Sequence, residues 1–272
     1  MKKILFKKFS GAGNDFVLVD QKDNQNIDLV PELVQKICNR RTGVGADGIL
    51  EIKDVSGYDF DLTYYNADGF PGSLCGNGSR CAIKYAGDSG RITQNKTLFI
   101  CDGTEYKGEV LGEDLVKFYL NQPEDLKKNI EIKFDENTVK GDFINSGSPH
   151  FVTEINSDLN KLNVEDLGKK IRYHETFSPQ GTNVNFVQLD GEKVKIRTFE
   201  RGVEAETLAC GTGCVAAATI LFLNGKIKTP VRLEVQSGET LTVNFEFNEN
   251  NFENISLVGP ANMIFAGEYY LI

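Results

Sequence analysis

Apolar residues along this chain fall mostly into short runs separated by glycine- and asparagine-rich turns, the pattern of a strand-rich protein. Residues 4–9 and 16–19 form two such runs around a glycine turn. Further strand-like runs recur at 49–52, 60–65, 97–101, 115–120, 130–134, 151–155, 184–189, 194–199, 231–235, 241–247 and 255–258. Ile27, Val30, Leu33, Val34, Ile37 and Cys38 stand at helical spacing, which predicts an amphipathic helix from 27 to about Arg40. The glycines between Gly43 and Gly48 break it. Two more helices follow Cys75 and Cys210. Many strands with few helices imply an α+β architecture, not regular βαβ winding.

The pattern also repeats. Leu74-Cys75-Gly76-Asn77-Gly78 leads into an alanine-containing helix, and Ala209-Cys210-Gly211-Thr212-Gly213 leads into another. Each helix is expected to stop near a glycine, Gly87 or Gly225. A weaker echo pairs 13–17 with 182–187, slipped by one residue. These repeats predict two structurally related halves with the functional site between them. The helix after Cys210 is apolar nearly all round from Val215 to Leu223, so it is expected to be buried at the centre of its half, with Cys210 at the inner end.

Length and charge narrow the function. A chain of 272 residues suits one large domain or two small ones. A net charge of −9 argues against a non-specific nucleic-acid or anionic-membrane surface, and no apolar stretch is long enough to span a bilayer. Lys7 and Lys8 interrupt the N-terminus before a signal-peptide core can form, so a cytoplasmic location is expected. Six cysteines in a reducing compartment point away from disulfides and toward metal binding or catalysis. The chain has only two histidines, His150 and His174.

A cysteine at a helix start feels the positive end of the helix dipole, which favours the thiolate. Glycines just after it let unpartnered first-turn N–H groups approach a carboxylate closely. Two such turns could hold one carboxylate with a thiol on each face of the adjacent carbon. One thiolate would take the α-proton and the opposite thiol return one to the other face, which is a recipe for racemisation. Cys38, Cys81, Cys101 and Cys214 read as small core residues. Two other classes compete. Residues 43–48 fit GxGxxG but follow a helix and precede a strand, the reverse of a dinucleotide site; 211–216 open a helix, but a loop from Glu200 to Thr207 separates them from the preceding strand. A metal or redox module could use Cys75, Cys81, Cys210 and Cys214, but no C-x-x-C pair occurs.

With both turns placed, the chain resembles the diaminopimelate epimerase family nearly end to end: FSGAGNDFVLVD, RRTGVGADGIL, YNADG with LCGNGSRC, SGSPH, QGTNVNFV, FERG with ETLACGTG, and a late GPA. The resemblance implies two pseudo-symmetric domains, each a curled mixed sheet around a central helix, with the active site in the cleft. The halves would be 1–119, to which 262–272 returns, and 120–261. It implies interconversion of LL- and meso-diaminopimelate in lysine and peptidoglycan precursor synthesis, with no cofactor or metal, in a homodimer. By motif, Cys75 and Cys210 match the catalytic pair, and Gly76, Asn77, Gly211 and Thr212 match the turn positions that hold the reacting carboxylate. His150 and Glu200 match residues that tune the cysteines and position substrate. Asn14, Asn66, Asn183 and Arg201 match substrate contacts, several at its distal end. On residue type alone the asparagines read as turn formers, Glu200-Arg201 as a surface ion pair and His150 as a loop residue.

Three departures from the family pattern touch substrate-facing loops. Ser148 stands where an asparagine is usual, the stretch 202–207 is one residue longer, and 70–74 (Phe70, Pro71, Gly72, Ser73, Leu74) lacks the usual acidic residue. They bear on distal specificity more than on the thiol chemistry, which makes a related two-cysteine amino-acid racemase the alternative.

Overall fold

A computed structural model describes residues 2–24, 27–72, 74–134, 137–191 and 193–271; Ser73 lies outside them. The chain divides into two units, residues 1–119 with 259–272, and residues 120–258.

The first unit contains β1 (Lys3–Gly11), β2 (Asn14–Asp20), β3 (Gly48–Lys53), β4 (Phe60–Asn66), β5 (Lys96–Cys101), β6 (Thr104–Val110), β7 (Leu115–Tyr119) and β17 (Asn262–Tyr270). Its helices are α1 (Gln21–Asn24), α2 (Pro31–Cys38) and α3 (Gly76–Asp88). The strands pair in the lateral order β17-β1-β2-β3-β4-β5-β6-β7, with β2–β3 and β4–β5 parallel and the other steps antiparallel. The parallel steps are the ones bridged by α2 and α3, since a parallel connection needs a crossover. The sheet curls so far that α3 touches β1, β2, β3, β4, β6, β7 and β17.

The second unit contains β8 (Glu124–Phe134), β9 (Asn137–Asn145), β10 (Pro149–Glu154), β11 (Asn183–Asp190), β12 (Lys193–Glu200), β13 (Ala205–Thr207), β14 (Val231–Glu234), β15 (Thr240–Asn248) and most of β16 (Asn251–Pro260). Its helices are α4 (Val164–Arg172) and α5 (Gly211–Leu223). The order is β8-β9-β10-β11-β12-β14-β15-β16, with β10–β11 and β12–β14 parallel and the rest antiparallel. Strand for strand this repeats the first unit, with β8 in the place of β17, so the two units are pseudo-symmetric α+β domains. Helix α5 is buried on every side from Gly211 to Leu221 and packs on β9, β10, β11 and β15. An apolar helix surface this broad is stable only when enclosed.

Several local expectations change. The helix read from 27 begins at Pro31, because Val30 is extended (φ −65°, ψ 154°), as a residue before proline prefers. Ile27 and Leu29 still enter that core, from extended chain. Both central helices stop near the expected glycines, α3 at Asp88 just past Gly87 and α5 at Leu223 just before Gly225 (φ +70°), but the left-handed exit of α3 comes at Gly90 (φ +73°). The stretch 200–207 is a hairpin in which β13 pairs back on β12. The weaker echo joins strands that are not equivalent. Asn14 opens β2, whereas Asn183 opens β11, whose counterpart by pairing order is β3.

Candidate active site

Each Cys-Gly-x-Gly turn caps the central helix of its unit. Cys75 is the N-cap of α3, with extended backbone (φ −104°, ψ 111°), and the Gly78 N–H donates to its Sγ at 3.4 Å. Cys210 occupies the same place on α5 (φ −115°, ψ 110°). The second glycine of each turn is required by what lies beneath it. A Cβ on Gly78 would meet Leu50 Cδ2 at 2.9 Å, and one on Gly213 would meet Asn185 Oδ1 at 2.4 Å. Leu50 and Asn185 are therefore equivalent positions. Through the parallel pairs Leu18–Leu50 and Val152–Asn185, Phe16 on β2 is then equivalent to His150 on β10.

In the first unit the turn rests on a charged network. Asn77 Nδ2 donates to Asn14 Oδ1 (2.6 Å), and Asn77 Oδ1 accepts from Arg80 Nη2 (2.8 Å). Arg80 is fully buried and also donates to the Gly76 carbonyl at 3.2 Å. Asn14 Nδ2 donates to Asp47 (2.9 Å), and Arg40 spans Asp47 and Asp15 at 2.6 Å each. Lys8 pairs with Asp15 at 2.6 Å. Burial opposes charge on Asp15, but Arg40 and Lys8 prevail and hold its carboxyl below the usual range. Asn66 ends β4 in a turn, its N–H donating to Phe70 O and its carbonyl accepting from Gly69 N–H, both at 2.9 Å.

In the second unit the turn rests on a neutral cluster around His150, which is fully buried on β10, not in a loop. His150 Nε2 is 2.9 Å from both Thr212 Oγ1 and Ser148 Oγ, and Nδ1 is 3.0 Å from Asn185 Nδ2. Burial, aided by the charge of Arg201, pushes its pKa down to about 3, so the ring is neutral at ordinary pH. Thr212 Oγ1 lies 3.6 Å from Cys210 Sγ. Burial, then the Glu200 carboxylate, raises the Cys210 pKa well above the ordinary value, against opposing hydrogen bonds from Thr212 and the Gly213 N–H. Asn183 donates to Pro149 O (2.8 Å) and Ser148 Oγ (3.3 Å) and accepts from the Arg201 N–H (2.8 Å). The Arg201 side chain donates to Gln180 O at 3.3 Å and lines a cavity of about 430 Å³ with Lys127, Phe143, Pro149 and Thr176. The longer 202–207 stretch is pinned by Glu204, which accepts from Arg172 (3.0 Å) and Tyr173 (2.8 Å), and by the Arg197–Glu206 pair (2.6 Å).

The structure thus gathers His150, Asn183, Thr212 and Cys210 in one unit, and Asn14, Asn77 and Cys75 in the other. Residue patterning missed Asn185, Ser146 (which donates to Thr212 O at 2.8 Å) and Arg80. Asn185 had left a signal, since Asn183 and Asn185 at i, i+2 share one face of a strand where they stand among Val184, Phe186 and Val187. Cys38, Cys81 and Cys101 are buried, with pKa values pushed up to about 12 by burial, as core thiols are. Among the described residues, no three His, Cys, Asp or Glu side chains are grouped so as to hold a metal ion, and no helix is long and apolar enough to cross a membrane.

Comparison with known proteins accords with this geometry. The family model described as diaminopimelate epimerase matches residues 6–124 and 143–264. The diaminopimelate epimerase of Chlorobaculum tepidum is 42% identical over 261 residues, covering 95% of this chain and 98% of that protein. That of Aquifex aeolicus is 42% identical over 274 residues, covering 96% of each. Among solved structures, a phenazine biosynthesis protein of the PhzF family from Bacillus anthracis superposes over 100% of both chains with a TM-score of 0.76 at 14% identity. A probable proline racemase from Agrobacterium radiobacter K84 covers 99% of this chain and 93% of its own with a TM-score of 0.72 at 12% identity. These two establish the fold. The family model reaches into both halves and the relatives align over nearly their whole length, so the chain belongs to the diaminopimelate epimerase family, a family of isomerases.

Proposed function

We propose that this protein interconverts LL- and meso-diaminopimelate by moving one α-proton between Cys75 and Cys210, without a cofactor. The observation that supports this most directly is the duplicated turn: a cysteine N-cap followed by Gly-x-Gly on the central helix of each unit. The first-turn N–H groups at Gly76-Asn77 and Gly211-Thr212 suit a carboxylate, whose charge grows as the α-carbon loses its proton. One thiolate accepts that proton and becomes a thiol. The thiol on the other face donates its own and becomes a thiolate, so each turnover exchanges the roles and the next turnover in reverse restores them. Glu200 and His150 act on Cys210, and Asn14, Asn66, Asn183 and Arg201 serve binding, with Arg201 suited to a distal carboxylate. The product would feed lysine and peptidoglycan precursor synthesis.

Ser148 favours a second reading, a related amino-acid racemase. Its hydroxyl is engaged by His150 and Asn183, and it lacks the amide usual at that position for the distal group. Proton NMR in heavy water with LL-diaminopimelate and no added cofactor separates the two. Deuterium at one α-carbon together with the meso isomer is expected. Exchange with another amino acid but not with this one would establish the racemase. Cys75→Ala and Cys210→Ala should each abolish turnover with an unchanged circular dichroism spectrum, and retained turnover in either would remove the two-thiol mechanism.

A further inference from the structure

Around Asn185 the hydrogen-bond polarity is forced. The Phe151 carbonyl can only accept, and Asn185 Nδ2 lies 3.1 Å from it, so that end of the amide is the NH₂. The other end, Oδ1, accepts from the Thr198 hydroxyl at 3.0 Å. The same NH₂ is 3.0 Å from His150 Nδ1, which must therefore be the bare, accepting nitrogen. The imidazole is neutral, so its one proton is on Nε2. From there it points at Thr212 Oγ1 and Ser148 Oγ, both 2.9 Å away. Thr212 therefore cannot donate to His150. Ser148 Oγ, 3.3 Å from Thr212 Oγ1, receives the Asn183 amide and faces the same Nε2–H, so its own proton turns to Thr212 Oγ1 and Thr212 does not donate back to it. The acceptor left for the Thr212 hydroxyl proton is Cys210 Sγ, at 3.6 Å.

We infer that Asn185 is a positioning residue, which fixes His150 as the Nε2–H tautomer and so directs the Thr212 hydroxyl onto the Cys210 sulfur. The relay runs Thr198, Asn185, His150, Thr212, Cys210, wholly within one unit. The other unit has Leu50 and Phe16, both buried, at the positions of Asn185 and His150. The relay would hold one extra donor on Cys210 whenever it is a thiolate, a task that two hydrocarbon side chains cannot perform for Cys75. The effect on turnover rests on the two-thiol reading above; the tautomer does not.

The first test is therefore made without substrate. With ¹⁵N-labelled histidine, and His174→Gln to assign the only other histidine, heteronuclear NMR should show His150 protonated at Nε2 and bare at Nδ1. A proton on Nδ1 would overturn the inference. The second test is a double-mutant cycle. Asn185→Asp, whose carboxylate accepts from Nδ1–H, should draw the proton to Nδ1 and lower kcat by about 10- to 100-fold, the scale known for the hydrogen-bond partners that orient metal-bound histidines, with KM nearly unchanged. In a Thr212→Val background the same substitution should have no further effect. Additive losses would mean that Asn185 does not act through Thr212 and would overturn the relay. Should Asn185→Asp fail to fold, Asn185→Leu takes its place, the residue its counterpart position already carries. A wild type with the Nε2–H tautomer and no diaminopimelate turnover would sink the substrate reading and still support this one, with the alkylation rate of Cys210, read by peptide mass spectrometry, replacing kcat in the cycle.

Discussion

Gly213→Ala and Gly78→Ala are the same substitution at equivalent positions of the two turns, and the structure assigns them different costs. At Gly213 the new methyl would stand 2.4 Å from Asn185 Oδ1, about 1 Å inside ordinary contact. That oxygen cannot retreat freely, because its amide is held by Thr198, the Phe151 carbonyl and His150. Overpacking a site of this kind costs about 1–3 kcal/mol, and straining the three buried hydrogen bonds adds roughly 1 kcal/mol or more. Replacing glycine by alanine in a helix returns up to about 1 kcal/mol. The net expectation is a destabilisation of about 2 kcal/mol. At Gly78 the clash is with Leu50 Cδ2 at 2.9 Å, the end of a flexible side chain that can turn aside. There the overpacking and propensity terms nearly cancel, within about 1 kcal/mol. Urea unfolding followed by circular dichroism measures both; with a slope of about 2 kcal/mol/M, Gly213→Ala should lower the midpoint by about 1 M and Gly78→Ala should barely move it. Equal midpoints for the two variants would refute the argument that the Asn185 amide is rigidly held under the turn.

Other consequences are as direct. His150 has its pKa lowered to about 3 in the fold against about 6.5 unfolded, so between those values the unfolded chain binds the extra proton. The stability this neutral ring contributes is full above pH 6.5 and falls toward pH 3, by up to about 1.4 kcal/mol per pH unit; His150→Gln should flatten the measured urea midpoint against pH in that window. Arg80→Met removes the donors to Gly76 O, Asn77 Oδ1 and Pro260 O from a fully buried place, so a loss of about 2–4 kcal/mol is expected, read as a melting temperature lowered by roughly 5–15 °C. Glu206→Ala leaves the largely buried Arg197 without its carboxylate and should cost about 2–4 kcal/mol by urea unfolding, while Lys140→Ala, whose partner Glu131 is exposed, should leave the urea midpoint in place.

The strands that could be read from the sequence are those with a buried face. Residues 60–63 and 194–197 alternate apolar and polar side chains and 97–101 is a nearly continuous apolar run, and each became a strand with one buried face. Strands β6, β9, β13 and β17 left no trace: β6 buries little beyond Gly108, and β17 is mostly exposed. Hydrogen bonding to a neighbour creates them, and pairing is invisible in hydropathy. Helix α4 was hidden by Gly168, which looks like a breaker but is a packing requirement, since a Cβ there would stand 2.4 Å from Phe199 Cβ. At the site, the cysteine turns were legible because each is a short local pattern, one cysteine and two glycines, that occurs twice. What holds the turns was not, because Asn185, Arg80 and Asp47 act through contacts between residues far apart in the chain.

On the two-thiol reading proposed above, the duplicated fold and the unlike side chains would answer two different demands of one reaction. Inverting an α-carbon asks for two proton carriers related as the two faces of that carbon are, and identical strand orders that each end in a cysteine-capped helix supply a matched pair of backbones. The substrate has no such symmetry, because its side chain leaves the α-carbon in one direction and must be held at one end only. That demand can be met only by breaking the repeat in its side chains. The break is concentrated at the places where the two halves correspond: Phe16 against His150, Leu50 against Asn185, Asn77 against Thr212. The polar member of the first two pairs is in the second unit, beside Asn183 and Arg201, the groups suited to a distal carboxylate. Backbone symmetry would thus serve the proton, and the unlike side chains would serve both recognition, through Asn183 and Arg201, and the extra donor on Cys210. Carrying the first unit's apolar pair into the second, as Asn185→Leu combined with His150→Phe, is the change that should leave the strand order intact while removing the groups that direct the Thr212 hydroxyl onto Cys210.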